Sequence, residues 1–292
     1  MSKSTSESTT TRTITILKTG PQALVQDLGR PGHAHLGVPP SGALDQQSLK
    51  LANRLVGNEE GAAGLELLLG GAELRADAPC TIAVTGPSTE VHIDGRLKDS
   101  HQPLQLDPGQ TIHIGTPSTG LRTYVAISGG IETEAELGSR STDLLSGIGP
   151  DPLQDNDVLQ LGTPEEPNHA DVVPPTRALQ TLVIPIRLGP RDDWFEDAET
   201  QLRQGVWTVS DRSNRVGARL NGTKLNRRDG EIPSEGMITG AVQVPPDGQP
   251  VVFLNDHPTT GGYPVIGVVD HDHLGFLGQA RPGTTIRFKP VE

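Results

Sequence analysis

Glycine or proline interrupts this chain every few residues, and that punctuation limits the fold more than any single motif does. The 35 glycines and 25 prolines occupy about a fifth of the 292 positions. Glycine supplies backbone conformations that L side chains avoid, and proline fixes φ while removing a hydrogen-bond donor, so both favour turns over long helices. Such a composition suits either low-complexity disorder or a β-protein of short strands joined by tight turns. Only 33% of residues are hydrophobic and 3% aromatic, yet apolar clusters recur along almost the whole chain, which favours the ordered alternative.

Between the punctuation marks, period-2 alternation and short β-branched runs predict strands at Thr13–Leu17, Thr81–Thr85, Val91–Ile93, Thr111–Ile114, Tyr124–Ile127, Leu182–Leu188, Val206–Val209, Val251–Leu254, Val265–Val269 and Thr284–Phe288. One segment reads convincingly as a helix, Asp45–Val56. There Leu44, Leu49, Ala52, Leu55 and Val56 share a face, and Gly57-Asn58 provides the stop.

Residues 1–12 read as a Ser/Thr-rich tail, and 164–180, Pro-rich and poor in large apolar residues, as a linker between halves at 13–163 and 181–292. Short matches fall in the same order in both halves. Ile16–Pro21 resembles Ile186–Pro190, Asn53–Gly57 resembles Asn214–Gly217, and Glu66 before Gly70-Gly71 resembles Glu235 before Gly240. Pro108–Ile114 resembles Pro282–Phe288. The shared order predicts a duplication: a mainly β chain of two tandem β-barrel-like subdomains with few short helices.

Composition also excludes function classes. Acidic residues outnumber basic ones by 36 to 24, giving a formal charge of −12 with no Lys/Arg run, which argues against nucleic-acid or anionic-membrane partners. No stretch nears the roughly 18 apolar residues of a bilayer span, and the N-terminus has no apolar signal region, so a cytoplasmic location is expected. The lone Cys80 permits no internal disulfide. His33/His35 and His271/His273 could face a metal together only if each pair lay on a strand, and no further ligands follow by spacing, so no metal is expected. Phosphate-loop, dinucleotide-fold, nucleophile-elbow and zinc-protease motifs do not occur.

The informative runs are polar and glycine-rich. In Val25–Gly32, Asp27 and Arg30 stand three residues apart in a turn, suited either to locking a loop or to gripping a small polar substrate. Val38–Asp45 leads into the helix, where Ser41 or Asp45 can cap free N–H groups or help hold an anion. Leu137–Asp143 gathers Ser139, Ser141 and Thr142 around Arg140, an oxyanion contact or an ordinary turn. Gln243–Pro250 forms a rigid turn, Val251–Leu254 a buried strand, and Asn255–Pro264 a polar loop leaving it. In that loop Asp256, Thr259, Thr260, Gly261, Gly262 and Tyr263 let backbone and hydroxyl groups approach a ligand.

Five of these runs in register, Val25–Gly32, Leu51–Asn58, Leu137–Thr142, Gln243–Pro250 and Thr259–Pro264, resemble the allophanate hydrolase subunit 2 family, also described as the C component of ATP-dependent 5-oxoprolinase. That family is related to the carboxyltransferase domain of urea amidolyase. The resemblance spans about residues 13–290. It implies two cyclophilin-like barrels, a subunit 1 partner with a possible third oxoprolinase subunit, and a cytoplasmic complex that opens a lactam or amide C–N bond at the expense of ATP. One departure stands out. Many members carry a Gly-Arg pair after the Gly-Ser-Arg-Ser-Thr run, whereas Ser146–Asp151 contains no arginine.

Phosphorylating a lactam carbonyl oxygen would make it a good electrophile, and the site must then stabilise phosphoryl charge. Under the resemblance, Arg30, Arg140, Thr259 and Thr260 are candidates for that task, and Asp27 or Asp256 for a base or metal contact. Tyr263 completes the candidate catalytic set, while Ser41, Asp45, Asn53, Ser139, Gln243, Gly261 and Gly262 are candidates for binding the substrate or an anion. Two alternatives remain open. One is a biotin-dependent carboxyltransferase module whose biotin is carried by another protein, since none of the six lysines has a biotinyl setting. The other is a non-catalytic regulator that binds and antagonises the subunit 1 protein.

Overall fold

In the computed structural model, which describes residues 11–164 and 180–291, nearly all ordered structure is β. The tail and linker segments therefore fall outside the described residues, except at 11, 12, 164 and 180. Each of the ten strands expected from sequence is present, several extended by a residue or more, as at Thr13–Lys18, Arg122–Ile127 and Thr285–Val291.

The first half is two antiparallel sheets around one core. One sheet runs in the order Ile131–Glu132, Val158–Leu161, Thr13–Lys18, Ala72–Ala76, Thr111–Ile114, Val91–Ile93 and Arg96–Lys98. The other runs Gln22–Gln26, Gly64–Leu68, Arg122–Ile127, Cys80–Thr85 and Leu104–Leu106. Ile14, Leu74 and Ile112 from the first sheet meet Leu65, Ile82 and Val125 from the second, all fully buried. Burying such a side chain contributes roughly 1.5–3 kcal/mol, which is how a chain so poor in aromatics sustains a core.

The second half closes into a seven-stranded barrel. Its order is Thr181–Leu188, Val265–Val269, Ala241–Gln243, Val251–Phe253, Gly217–Gly222, Trp207–Val209 and Thr285–Val291, the last pairing parallel with the first. Closure removes exposed sheet edges. Trp207 fills the interior against Phe288, ring centroids 5.2 Å apart, and its indole N–H donates to the Thr223 carbonyl at 2.7 Å.

The Pro-Gly turns recur as the duplication predicts: Gly109 and Gly283 both take φ +87°, and a strand follows each. The Asn53–Gly57 and Asn214–Gly217 match does not carry through. The first ends a helix, whereas the second turns between two strands, so the likeness there reflects shared turn chemistry.

The expected helix is present as α1, Gln46–Leu55, and two short helices, α2 (Ala198–Gln204) and α3 (Leu274–Gln279), belong to the second half. Asp45 caps α1 by accepting from Ser48 N at 3.1 Å. The α1 face formed by Ala52, Leu55 and Val56 packs on Ala83 and Ala126 of the five-stranded sheet.

The halves interlock. Leu44, in the loop before α1, belongs to the core of the second half. In return Arg281 Nε donates to the Gly120 carbonyl at 2.6 Å, and Gln279 Oε1 accepts from Leu121 N and Arg122 N at 3.0 and 2.8 Å.

Candidate functional site

Three loops of the first half converge on Asp27. Its carboxylate accepts on one oxygen from Gly29 N (2.7 Å), Ser139 Oγ (2.6 Å) and Ser141 Oγ (2.6 Å), and on the other from Arg140 N at 2.6 Å. Four donors, three of them from the 139–141 loop, suit Asp27 to orienting that loop. Asp27 and Arg30 do not pair with each other. Arg30 is 1% exposed, donates through Nε to the Glu136 carbonyl at 3.2 Å and through Nη2 to the Ser141 carbonyl. Among the described residues no carboxylate lies within ion-pair reach of it, and its Nη1 has no partner. Ser41 Oγ, Gln26 Oε1 and Thr142 Oγ1 are likewise buried and unpaired. Gln26 and Thr142 sit on the same loops, since Gln26 Nε2 donates to the Thr142 carbonyl at 2.8 Å. A buried guanidinium with an unused N–H beside free hydroxyls is a setting that an anionic oxygen or ordered water satisfies.

Segment 40–45 links this cluster to the second half. Arg30 N donates to Pro40 O at 2.6 Å and Ala43 N to Asp27 O at 2.9 Å. Ser41 adopts a left-handed φ of +53°, its N–H donating to Asn255 O at 2.9 Å. A non-glycine residue there is strained, and such strain collects at functional sites. Beyond it lies a buried ionic network that crosses the junction. Arg215 donates to Glu66 at 2.6 Å, to both oxygens of Asp256 at 2.8 and 3.0 Å, and to the Gly42 carbonyl at 2.7 Å. Glu66 also receives Arg122 Nε at 3.2 Å, Tyr124 OH at 2.7 Å and Leu44 N at 2.9 Å.

The two carboxylates of this network differ in proton affinity. Burial opposes the charge on Glu66, but Arg215, Arg122 and the donors from Leu44 and Tyr124 overcome it, and the carboxyl sits below its ordinary value. Burial pushes Asp256 up despite Arg215, with the Asp143 and Glu66 charges adding to the rise. Two cations hold Glu66, and Asp256 must share one of them. Burial also lowers the affinity of His257, whose ring contacts Pro258 O and Thr239 Oγ1 at 2.8 and 3.1 Å.

Other sequence candidates make local contacts of their own. Asn53 is fully buried at the end of α1, donating to Glu60 O and Ala62 O at 3.2 and 2.8 Å and accepting from Asn58 at 3.0 Å, so it fixes a turn. Arg140 Nε donates to Thr133 O at 2.9 Å. Thr260 and Gly261 pair with Glu235–Gly236 in a separate two-stranded sheet. Thr259 O accepts from Met237 N at 2.9 Å, and Gln243 Nε2 reaches Tyr263 O at 3.2 Å. Gly262 and Tyr263 are exposed. The sequence candidates thus form two groups, Asp27, Arg30, Ser41, Asp45, Ser139 and Arg140 near the junction with Asp256, and Thr259–Tyr263 on a flanking two-stranded sheet with Gln243 reaching it from the barrel, while Asn53 stays with its own turn.

Arg215, Glu66, Arg122 and Tyr124 had no place among the sequence candidates. The available signal was a lone glutamate inside the apolar run Gly64–Leu68, since a charge in a strand buried on both faces must be paired. His33 and His35 flank or occupy a 3-10 turn at Ala34–Leu36, and His271 and His273 end another. Among the described residues no group of three or more His, Cys, Asp or Glu is placed to hold a metal ion, and no helix is long and apolar enough to cross a membrane.

Comparison with known proteins agrees with this architecture. Residues 36–290 match the family described as carboxyltransferase domain, subdomain A and B. The chain is 35% identical to the C component of 5-oxoprolinase from Escherichia coli (strain K12), covering 94% of this chain and 89% of that one. The crystal structure of TTHA0988 superposes with a TM-score of 0.88 at 35% identity, covering 97% of this chain and 57% of that chain. The K. lactis urea amidolyase superposes with a TM-score of 0.89 at 30% identity over 96% of this chain, which spans only 19% of that longer one.

Proposed function

We propose that this chain, which belongs to the carboxyltransferase domain family, is the C-type component of an ATP-dependent amide or lactam hydrolase of the 5-oxoprolinase kind, inactive alone and cytoplasmic. Its partners are a subunit 1 homologue and a third oxoprolinase subunit, and its substrate is a small lactam or ureide. The near end-to-end match with the C component of the E. coli 5-oxoprolinase carries this reading.

In the proposed reaction the lactam carbonyl oxygen attacks the γ-phosphorus of ATP and ADP departs. Water then adds to the activated carbon, the C–N bond breaks as the nitrogen takes a proton, and the acyl phosphate left behind is cleaved by a second water to the carboxylate and phosphate. Negative charge has to be stabilised on the transferring group, and preorganised donors do this most effectively away from water. The unused Nη1 of buried Arg30 fits an anionic oxygen, with Ser41 Oγ beside the same loop. We assign Arg30 to that charge, Asp27 and Ser139 to orienting the loops around it, and Thr259 and Thr260 to a second contact from the flanking two-stranded sheet. Arg140 and Asp45 bind through the loops they anchor, and Asp256 serves as the base once its pairing with Arg215 loosens.

The test is ATP-dependent loss of 5-oxoproline, followed by chromatography, for this chain alone, with a subunit 1 homologue, and with the third subunit added. Turnover is expected only in the assembled mixture. Full activity of assembled Arg30→Ala or Thr260→Ala complexes would remove those residues from the mechanism. The superposition on urea amidolyase favours a second reading, a carboxyltransferase that takes its carboxyl group from biotin on another protein. A stable complex inert toward 5-oxoproline, together with capture of a biotinylated partner, would select it.

A further inference from the structure

On the outer face of the seven-stranded sheet, two histidines from adjacent strands stand side by side. His92 of Val91–Ile93 pairs in register with His113 of Thr111–Ile114, and their ring centroids are 6.4 Å apart. We propose that this pair chelates a late first-row divalent metal ion, Cu²⁺ or Zn²⁺, on a sheet that carries none of the candidate residues around Asp27.

The sheet fixes where both rings project. Val91, Ile93, Ile112 and Ile114 are buried, so the alternation of the strands turns His92 and His113 to the opposite face. Residues directly opposite each other across an antiparallel pair have Cβ atoms about 4.5–5.5 Å apart. An ion bonded at about 2.0–2.1 Å to one nitrogen of each ring holds the ring centres about 5 Å apart in tetrahedral geometry. Modest side-chain rotation brings the observed pair to that separation. Among the described residues the histidine rings that hydrogen-bond are those of His35, His101 and His257, so no hydrogen bond has to break as His92 and His113 turn. Spacing along the chain hides this pair, since the two lie on different strands.

Charge favours a cation there. Glu73 stands opposite His113 on the next strand, Ala72–Ala76, and Lys18 holds one of its carboxylate oxygens at 3.1 Å. The other oxygen is left to accept from a water on the ion, as outer-shell carboxylates do. The formal charge of −12 on the whole chain also draws cations to it. Two imidazoles leave the remaining coordination positions to water, so the site is open. Imidazole selects zinc and copper, whereas magnesium and calcium take carboxylate and water oxygens.

The other neighbouring pair is a poorer chelator. His33 and His35 also have centroids 6.4 Å apart, but they sit at a 3-10 turn in an exposed loop, and His35 Nδ1 is engaged with the Gly32 carbonyl at 3.1 Å. Binding has to order that loop, whereas the sheet is already in place.

The untagged full chain is titrated calorimetrically with zinc chloride and, separately, with copper chloride, so the result does not depend on turnover or on partner subunits. The tightest equivalent of each ion is expected to bind at about 100 µM or tighter, copper ahead of zinc, and to weaken tenfold or more in His92→Gln and in His113→Gln. Replacing His33 and His35 together by glutamine should leave that affinity unchanged. Electron paramagnetic resonance of the copper complex should show two imidazole nitrogens on the ion in the wild type. Both substitutions lie on the outer face and leave the core intact, and a thermal melt without metal checks that the variants fold. A chain that takes up neither ion at about 100 µM, or that keeps its affinity in His92→Gln and loses it in the His33, His35 variant, would overturn the proposal.

Discussion

Replacing Arg215 with methionine tests whether the ionic network, rather than apolar packing alone, holds the junction together. The guanidinium is buried and bonded to Glu66, to both oxygens of Asp256 and to the Gly42 carbonyl. Glu66 would keep Arg122, Tyr124 and Leu44 N, and Gly42 O would keep Asn255. Asp256 would be left with Leu144 N at 3.4 Å, a poor substitute, so the penalty falls mainly on that carboxylate. Breaking a buried pair by removing one partner costs roughly 3–5 kcal/mol, which we expect near pH 8. Asp256 can escape the penalty by binding a proton. Its folded carboxyl already lies above the unfolded value of 3.8, and loss of Arg215 raises it further. For a carboxyl raised on folding, stability is lost as pH rises through the interval above the unfolded pKa, so the deficit of the variant should shrink as pH falls toward 5. Adding Asp256→Asn to Arg215→Met should recover on the order of 1–3 kcal/mol by removing the stranded charge. Urea unfolding reports all three, with Trp194 and Trp207 fluorescence following the second half and far-UV circular dichroism following both. A penalty under about 1 kcal/mol, or one independent of pH, would refute the argument.

Three further outcomes are expected. Gly109→Ala, at φ +87° in open space, should lose about 1–2 kcal/mol. Gly70→Ala, at φ +61° with its new Cβ driven into the Gly115 carbonyl, should lose about twice that, and equal urea midpoints for the two would contradict the backbone account. Burial lowers the pKa of both His101 and His257, so the unfolded chain takes up protons first as pH drops through 6.5. Stability should fall from there toward the folded pKa values, and a His101→Asn, His257→Asn variant should show a flatter pH profile of the urea midpoint. Burial pushes the Cys80 thiol up to about 11, so a thiol reagent should label the native protein far more slowly than the urea-unfolded one; equal rates would place Cys80 at the surface.

Periodicity reveals the strands where one face is wet and the other dry, as in Thr111–Ile114, where His113 is exposed between buried Ile112 and Ile114. It misses Gly64–Leu68, which is buried on both faces and shows no alternation, and Ala72–Ala76, whose Ala, Glu, Leu and Arg favour helix until the sheet on either side fixes them as strand. The loop chemistry around Asp27, Ser139 and Arg140 is legible because residues that bind backbone groups cluster in short runs. Long-range pairing is not legible. Glu66 and Arg215 meet across 149 residues, and nothing local to either sequence marks the other as its partner. The Thr259–Tyr263 run reads as a polar loop, but Thr260 and Gly261 pair with Glu235–Gly236, a two-residue strand too short to carry a pattern.

Segment 40–45 is the piece that joins the Asp27 and Arg30 loops, the ionic network and α1. Pro40 holds Arg30, Ala43 holds Asp27, Gly42 receives Arg215, Leu44 reaches Glu66, and Asp45 caps α1 while receiving Gln279. Gly42 is its most vulnerable position. Its φ is +88°, and an added Cβ would stand 2.7 Å from Gly29 N and 2.8 Å from the Leu28 carbonyl carbon. Those are backbone atoms, so neither can rotate away, and the 27–30 turn or the 40–45 segment must shift as a whole. Left-handed strain of roughly 1–2 kcal/mol plus that displacement should make Gly42→Ala cost about 2–4 kcal/mol. It should also slow turnover by the assembled complex, because the segment holds Arg30 and Asp27. A cavity-forming variant of similar cost in the first core, Leu74→Ala, should lower stability without displacing those loops. Comparing the urea midpoints of the two with the ATP-dependent loss of 5-oxoproline in their assembled complexes separates a general loss of stability from a displaced segment. If the Gly42→Ala complex turns over as the wild type does, or if both variants lose activity equally, segment 40–45 is not the connection.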